Sequence, residues 1–276
     1  MSSKNYCFLV SLVALSLVHS ACVTFARPWD PLVDAAANVA ALYDASDVNS
    51  ITESSGAVSQ WDDKSGNGYH MKQSNSSLQP TYTASDPVLG GFPSISNVDA
   101  YKDLIMDQTS TVQRVYFVAY FYDGVTNTWV SHNALFATID GSVRLTGRSG
   151  GNQVFDGNRA AQNFDYDGTT FRNGSTNDTN AQSGGLPITN EMFTVTAASP
   201  KTGQWRLLGN SSDWSRWDGG LGELIFTDGT EGLEVQQKIE GYLAWKWGIE
   251  GKLPSYHPYK LAAPDVPPSG TVIVIK

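Results

Sequence analysis

Cysteine is nearly absent: Cys7 and Cys22 are the only two, and both fall within the first 26 residues. Those residues read as a secretory leader. Lys4 supplies the positive end, residues 8–18 are an apolar run, and Ala26 is a small residue suited to cleavage. Once the leader is removed, no thiol is left for a disulfide framework, a Cys-ligated metal or a thiol nucleophile. The apolar run is also too short for a comfortable membrane span, so the mature chain is expected to have none. Two alternatives stay open for this segment. Cys22 could carry lipid, although His19 occupies a position where an aliphatic or small residue is expected. The segment could instead be retained as an apolar peg docked on a partner.

Other shortages exclude other functions. Positive charge is scarce: 18 Lys and Arg face 27 Asp and Glu, a formal charge of −9 that becomes −10 when Lys4 leaves with the leader. Such a chain lacks the electrostatic footprint of a nucleic-acid binder and is repelled by anionic lipid. Neutral sugars or protein surfaces suit it better. Histidine is sparse, and His70, His132 and His257 lie near no Gly-x-Ser-x-Gly elbow and in no His-Glu-x-x-His spacing. Glutamate occurs only seven times. A sugar-cleaving sandwich wants acids alternating along one strand, so that they share a cleft. The nearest candidates, Glu223 and Asp228, are five apart and would face opposite sides of a regular strand. No catalytic residue is assigned, and the chain is expected to be non-enzymatic.

What is present is turn chemistry and β-rich sequence. The chain holds 26 Gly and 12 Pro with 41% hydrophobic residues, which suits one large all-β domain. Residues 27–39 form a lead-in segment in which Pro28 and Pro31 break any helix. Strands are expected at 40–47, 58–61, 69–73, 80–83, 193–197, 204–208 and 221–226. Residues 112–122 are apolar almost throughout, which predicts a central strand covered on both sides. Asp123-Gly124, Asp140-Gly141, Asp167-Gly168 and Asn173-Gly174 read as two-residue hairpin turns. In the segment 62–68, Gly66 and Gly68 supply positive φ while Asp and Asn side chains bond their own backbone.

One segment is strongly helical. A helix is expected over 231–247, capped by Asp228 or Thr230, with Glu231 and Glu234 in its first turn and Gly248 as its stop. Leu233, Ile239, Leu243 and Trp247 share its apolar face. Trp245 falls on the polar side, where it is either exposed or covered by the Pro-rich return over 253–259. The fold class is therefore an all-β, two-sheet antiparallel jelly-roll sandwich, here assigned to residues 40–260, with one C-terminal capping helix. Residues 261–276 are a Pro-rich linker followed by a short strand at 271–275.

Four blocks carry a family resemblance: Leu42-Tyr-Asp-Ala-Ser-Asp47, Val58-Ser-Gln-Trp-Asp-Asp-Lys-Ser-Gly-Asn-Gly68, Gly219-Gly-Leu-Gly-Glu-Leu-Ile-Phe226, and Lys238-Ile-Glu-Gly-Tyr-Leu-Ala-Trp-Lys-Trp-Gly248 with Leu253-Pro254 and His257-Pro258. Together they resemble the LamG-like, concanavalin A-like lectin/glucanase jelly rolls of bacterial secreted proteins and phage structural proteins. The match covers 42–80 and 219–259, while the middle third is similar only in style. The resemblance implies two antiparallel sheets and a glycan-binding or adhesive role, or in phages a tail or capsid surface component. Some members of the wider superfamily bind calcium, but no motif here transfers ligands position by position. The matching motifs read as fold determinants, with Trp61 and Trp217 in the core.

For sugar binding, aromatic faces beside amides or carboxylates are needed. Trp129 with Asn133, and Trp214 with Asp213, sit in polar contexts and are the candidate ligand-binding residues; the bland alternative is that each Trp closes a loop over the core. Calcium stays a possible ligand of the sequence cluster Asp44, Asp47, Asp62 and Asp63, although turns use Asp for backbone bonding anyway. The strand at 271–275 either joins a neighbour's sheet edge, giving a homo-oligomer or a virion partner, or pairs within its own sheet. The expected protein is a secreted or surface-exposed module that binds a glycan or protein surface; the alternative is a virion component. Four Asn-x-Ser/Thr sites, Asn75, Asn173, Asn177 and Asn210, matter where the source glycosylates.

Overall fold

Strands that are far apart in hydrogen-bonding order meet through their rings, and this defines the two layers. A computed structural model describes residues 26–97, 101–121, 133–147, 163–175, 188–209 and 217–266. Its strands are β1 (Arg27–Pro28), β2 (Val39–Asp44), β3 (Ile51–Ser54), β4 (Ala57–Trp61), β5 (Met71–Lys72), β6 (Thr81–Asp86), β7 (Phe92–Asn97) and β8 (Leu104–Met106). They continue as β9 (Ser110–Phe121), β10 (Asn133–Thr138), β11 (Arg144–Gly147), β12 (Thr169–Arg172), β13 (Ile188–Gly203), β14 (Trp205–Leu207), β15 (Gly219–Thr227) and β16 (Asp265–Val266). The helices are α1 (Pro31–Asp34) and α2 (Leu233–Lys246).

The main sheet is antiparallel, in the order β11-β10-β14-β8-β5-β4-β6-β7-β15-β9-β13-β12, with β3 also on β4 and β2 also on β15. Six strands separate β10 from β15 in that order. Yet the rings of Phe136 and Phe226 are 5.7 Å apart, and those of Trp205 and Phe226 are 5.8 Å apart. Tyr43 and Trp61 meet likewise at 5.6 Å. The sheet therefore folds over itself, hinged where β4 gives way to β6 through the single pair Ala57–Thr81. The chain is an all-β, sandwich-like fold with a helix covering the outside of one layer, as its strand-and-turn composition predicts.

The apolar run at 112–122 becomes β9, which lies between β15 and β13. Val115 and Phe117 face the sandwich core with Leu224, Phe226 and Phe193, while Tyr116 and Val118 face the helix. Trp61 and Trp217 are both fully buried, as expected. Strand β15 carries a bulge at Gly222: β7 pairs with Gly219–Leu221, and beyond the bulge β2 pairs with Glu223–Thr227. A Cβ at Gly222 would come within 2.6 Å of the Trp247 ring, so glycine is what lets the helix approach.

Turn chemistry behaves as the sequence implies at one hairpin turn. Asn173 and Gly174 have φ of 51° and 74°, and Ser175 N–H donates to Arg172 O at 3.0 Å, closing a two-residue turn. Asp140-Gly141 also joins β10 to β11, but within a longer loop, 139–143, closed by Thr138 N–H on Val143 O at 2.8 Å. Asp167-Gly168 departs from expectation, because it ends a turn that leads into β12, whose partner is β13. Asp123-Gly124 lies outside the described residues.

The helices differ from the sequence expectation at their starts. Pro31 opens α1 instead of preventing it, since a first-turn proline lacks only an N–H the helix would leave unpaired, and Asp30 caps it through Leu32 N–H at 2.8 Å. Helix α2 starts at Leu233 after an uncapped Gly232. Asp228 accepts instead from Thr230, and Glu231 turns under the helix. Ile239, Leu243 and Trp247 are buried, but Leu233 is exposed. At about 100° per residue it lies about 80° from the centre of that stripe. Trp245 is intermediate between the two outcomes foreseen: its indole N–H donates to Tyr259 O at 2.8 Å while 37% of the residue stays exposed.

Two measurements check this packing. Phe226→Ala removes the ring shared by both layers and is expected to cost about 3–5 kcal/mol in denaturant unfolding; a loss below about 1 kcal/mol contradicts the two-layer core. The Asp140 carboxyl is drawn from its ordinary 3.8 to about 2 by the Thr138 hydroxyl and by Ser142 N–H and Oγ–H. Its folded value lies below the unfolded one, so its stabilising share is present above 3.8 and lost as pH falls through about 2. An NMR titration of that carboxyl should show the low midpoint; an ordinary midpoint contradicts the turn geometry.

Candidate functional site

Four buried carboxylates, Asp44, Glu223, Glu231 and Glu240, lie between α2 and the sheet. The bulge at Gly222 points Glu223 and Thr227 at the helix, and pairing places Asp44 beside Glu223 and Arg114 beside Thr227. Glu223 is fully buried. Its Oε2 accepts from Trp247 Nε1 and meets Lys246 Nζ, each at 2.7 Å, and its Oε1 accepts from Tyr242 at 3.0 Å. Lys246 Nζ is also 2.8 Å from Asp44 Oδ2, which Lys64 Nζ approaches at 3.1 Å. Lys64 then reaches Asp47 at 2.8 Å.

Burial pushes the Glu223 carboxyl above its ordinary range; Asp44 adds to this and Lys246 only partly offsets it. Burial also acts to raise Asp44, but Lys246, Ser46 and Lys64 outweigh it and leave that carboxyl low. Burial beside Glu223 raises the Tyr242 phenol strongly. A buried charge pair of this kind holds only while each partner is present.

Two further carboxylates lie along the same seam. Glu231 Oε1 accepts from Tyr116 at 2.8 Å and Thr227 at 2.7 Å, and pairs with Arg114 at 3.0 Å. Glu240 accepts from Thr194 at 2.8 Å and Gln236 at 3.0 Å, and faces the buried His257 at 3.2 Å. Glu223 therefore pairs with Asp44 and a lysine rather than with Asp228. All four carboxylates are buried.

The sequence cluster proposed for calcium is held by the protein's own groups. Lys64 lies between Asp44 and Asp47, and Asp62 faces His70 at 3.0 Å. Asp63 accepts from the N–H groups of Leu42, Ser65 and Tyr69 and from the Ser65 hydroxyl, at 2.7–3.1 Å. It stitches the 62–68 turn to β2, with Gly66 and Gly68 at φ of 87° and 80°. Among the described residues, no three His, Cys, Asp or Glu side chains are grouped so as to hold a metal ion.

The candidate sugar-contacting residues fall elsewhere. Trp129, Asp213 and Trp214 lie outside the described residues. Asn133 opens β10 and pairs through its backbone with Gly147, and its side chain is likewise outside the description. The roots of the segments that carry them are described, and they converge. Segment 122–132 follows Phe121, whose ring is 4.5 Å from that of Trp217, the residue that follows segment 210–216. Trp217 N–H donates to Leu208 O at 3.0 Å, and Leu208 N–H donates to Leu135 O at 2.7 Å. Asn97 binds Leu208 O at 3.1 Å, and Gly219 pairs with both Asn97 and Phe121. Ile188 pairs with Phe121 as well. Asn97, Phe121, Ile188, Leu208 and Trp217, which stand at or next to the borders of segments 98–100, 122–132, 176–187 and 210–216, thus lie together at one end of the sandwich.

The strand expected at 271–275 also lies outside the described residues. The lead-in and the exit are tied together, because Arg27 pairs with Val266 and Pro28 with Asp265. Among the described residues, no helix is long and apolar enough to cross a membrane. No family model matches the chain, and no curated protein and no solved structure matches it either.

Sequence reasoning missed the Asp44–Lys246–Glu223 cluster, although each member stands in a block quoted above. The signal was non-local: the acids become neighbours only through the pairing of β2 with β15. The energetics of the seam are open to test at its second node. Arg114→Met leaves Glu231 buried without its cation and is expected to destabilise the chain by about 3–5 kcal/mol. Urea unfolding at neutral pH measures this, and an unchanged midpoint contradicts it.

Proposed function

We propose that the chain is a non-enzymatic carbohydrate-binding or adhesion module of the LamG-like, concanavalin A-like kind, secreted or displayed on a surface. What supports this reading is the convergence at one end of the sandwich. The segments bearing Trp129 with Asn133 and Asp213 with Trp214 are rooted through residues in ring contact or within hydrogen-bond distance of one another. Two aromatic residues with amide and carboxylate neighbours in sequence, on segments that start from neighbouring strand ends, are the residue types that a neutral sugar needs. The engagement of Asp44, Glu223, Glu231 and Glu240 with their own partners favours binding over hydrolysis. The hold of Lys64 on Asp44 and Asp47 favours recognition without calcium.

A second reading, a virion component assembled through its terminal segments, is favoured by the pairing of β1 with β16. That pairing sets Arg27 beside Val266, so segments continuing from both could engage one neighbour.

A glycan array probed with and without chelator tests the first reading. The expected result is a sugar signal that survives chelator and falls at least about tenfold, about 1.4 kcal/mol, in Trp129→Ala or Trp214→Ala. Silence on every glycan, with self-association that is lost when residues 271–275 are removed, selects the virion reading. Hydrolysis of a polysaccharide overturns both.

A further inference from the structure

We propose that Lys246 and Asp44 condense into an intramolecular amide, with Glu223 carrying the protons, so that the helix is covalently tied to the first core strand. The proposal rests on the arrangement of the three side chains and is independent of the ligand reading. Lys246 Nζ lies 2.8 Å from Asp44 Oδ2 and 2.7 Å from Glu223 Oε2, so nucleophile, electrophile and proton carrier meet at one nitrogen. Asp44 and Glu223 are register partners on adjacent strands, and Lys246 ends a helix packed over them. All three are therefore placed by rigid elements. Tyr242 and Trp247 enclose the ammonium at 5.3 and 5.8 Å from their ring centres.

The surroundings suit acyl transfer. Asp44 Oδ1 accepts from Ser46 N–H at 2.9 Å and Ser46 Oγ–H at 2.6 Å, two donors placed where negative charge develops on a tetrahedral carbon. Lys64, 3.1 Å from Oδ2, adds a positive charge. Glu223 is fully buried beside Asp44, and burial pushes its carboxyl above the ordinary range, which makes it a better proton carrier between amine and carboxyl. Well-oriented intramolecular pairs reach effective molarities of about 10⁵–10⁸ M, which suits a condensation that is unfavourable between free molecules in water.

The step balances without any co-reactant. A proton passes from the Lys246 ammonium through Glu223 to Asp44 Oδ2, leaving a neutral amine and a carboxylic acid. The amine lone pair attacks Asp44 Cγ, and charge gathers on Oδ1. Glu223 takes a second proton from the nitrogen and delivers it to Oδ2. The C–O bond breaks, one water leaves, and the C–N bond is that of an amide. Glu223 ends in its starting form, and Lys64 keeps Asp47 as its ion partner. The Lys246 side chain is 23% exposed, which gives the water an exit.

The test is the intact mass of the full chain, purified folded and then denatured, read against the mass required by its observed terminal residues. The expected result is a deficit of one water, with peptide mapping that joins the Asp44 and Lys246 peptides. Glu223→Gln should restore the full sequence mass. Lys246→Arg, which keeps the positive charge and whose folding is checked by circular dichroism, should do the same. Full sequence mass in the unmutated chain after prolonged incubation overturns the proposal. So does a water deficit mapped to Lys64 or to an Asp-Gly step such as Asp140-Gly141, or one that persists in Lys246→Arg.

Discussion

The placement of one lysine beneath a helix governs how this sandwich is closed. In its ammonium form, Lys246 is the cation that lets Asp44 and Glu223 sit side by side on neighbouring strands. Without it, two carboxylates would face each other in a site from which the helix excludes most water, at a penalty of several kcal/mol per ion. The helix can approach because Gly222 leaves room for the Trp247 ring, and that same ring donates its N–H to Glu223. The bulge, the glycine, the tryptophan and the lysine form one constraint. It fixes where α2 lies and which face of β15 it covers.

That constraint has a consequence for the far end of the molecule. Strand β9 carries the helix-facing Arg114 and Tyr116 near one end and Phe121 at the other. Its neighbour β15 runs from Gly219, beside Trp217, to Thr227, which bonds Glu231. The pairs that anchor the helix and the pairs that root the candidate binding segments therefore lie along the same two strands. A binding surface built on such segments gains from rigidity, because less motion is lost when a ligand is held.

Much of the architecture was legible in the sequence, and the exceptions have identifiable causes. The apolar run of β9, the Asn173-Gly174 turn and the glycines of the 62–68 turn each follow a local rule, and each forms as that rule predicts. Strand β7 escaped notice because Pro93, Ser94 and Ser96 make it read as a loop. Pro93 is tolerated because only Ile95 to Asn97 pair with β15. The three-residue β8 is too short to show a period. Leu233 belongs to the predicted stripe only at its edge, about 80° from the centre, and the first turn leaves it exposed. Glu223 was weighed against the nearby Asp228, whereas its partners come from residues 44 and 246. Contacts of that separation leave no trace in local spacing. The candidate sugar-contacting residues were legible only as aromatics in polar contexts. The described structure adds where their segments are rooted.

Hydrogen exchange of the backbone amides, measured in the native state, tests the central claim most directly. If the polar seam joins helix and sheet into one unit, amides of α2 and of β15 will exchange at a common slow rate, set by unfolding of the whole sandwich. Helix amides that exchange far faster than those of β15, while the sheet stays protected, would contradict it.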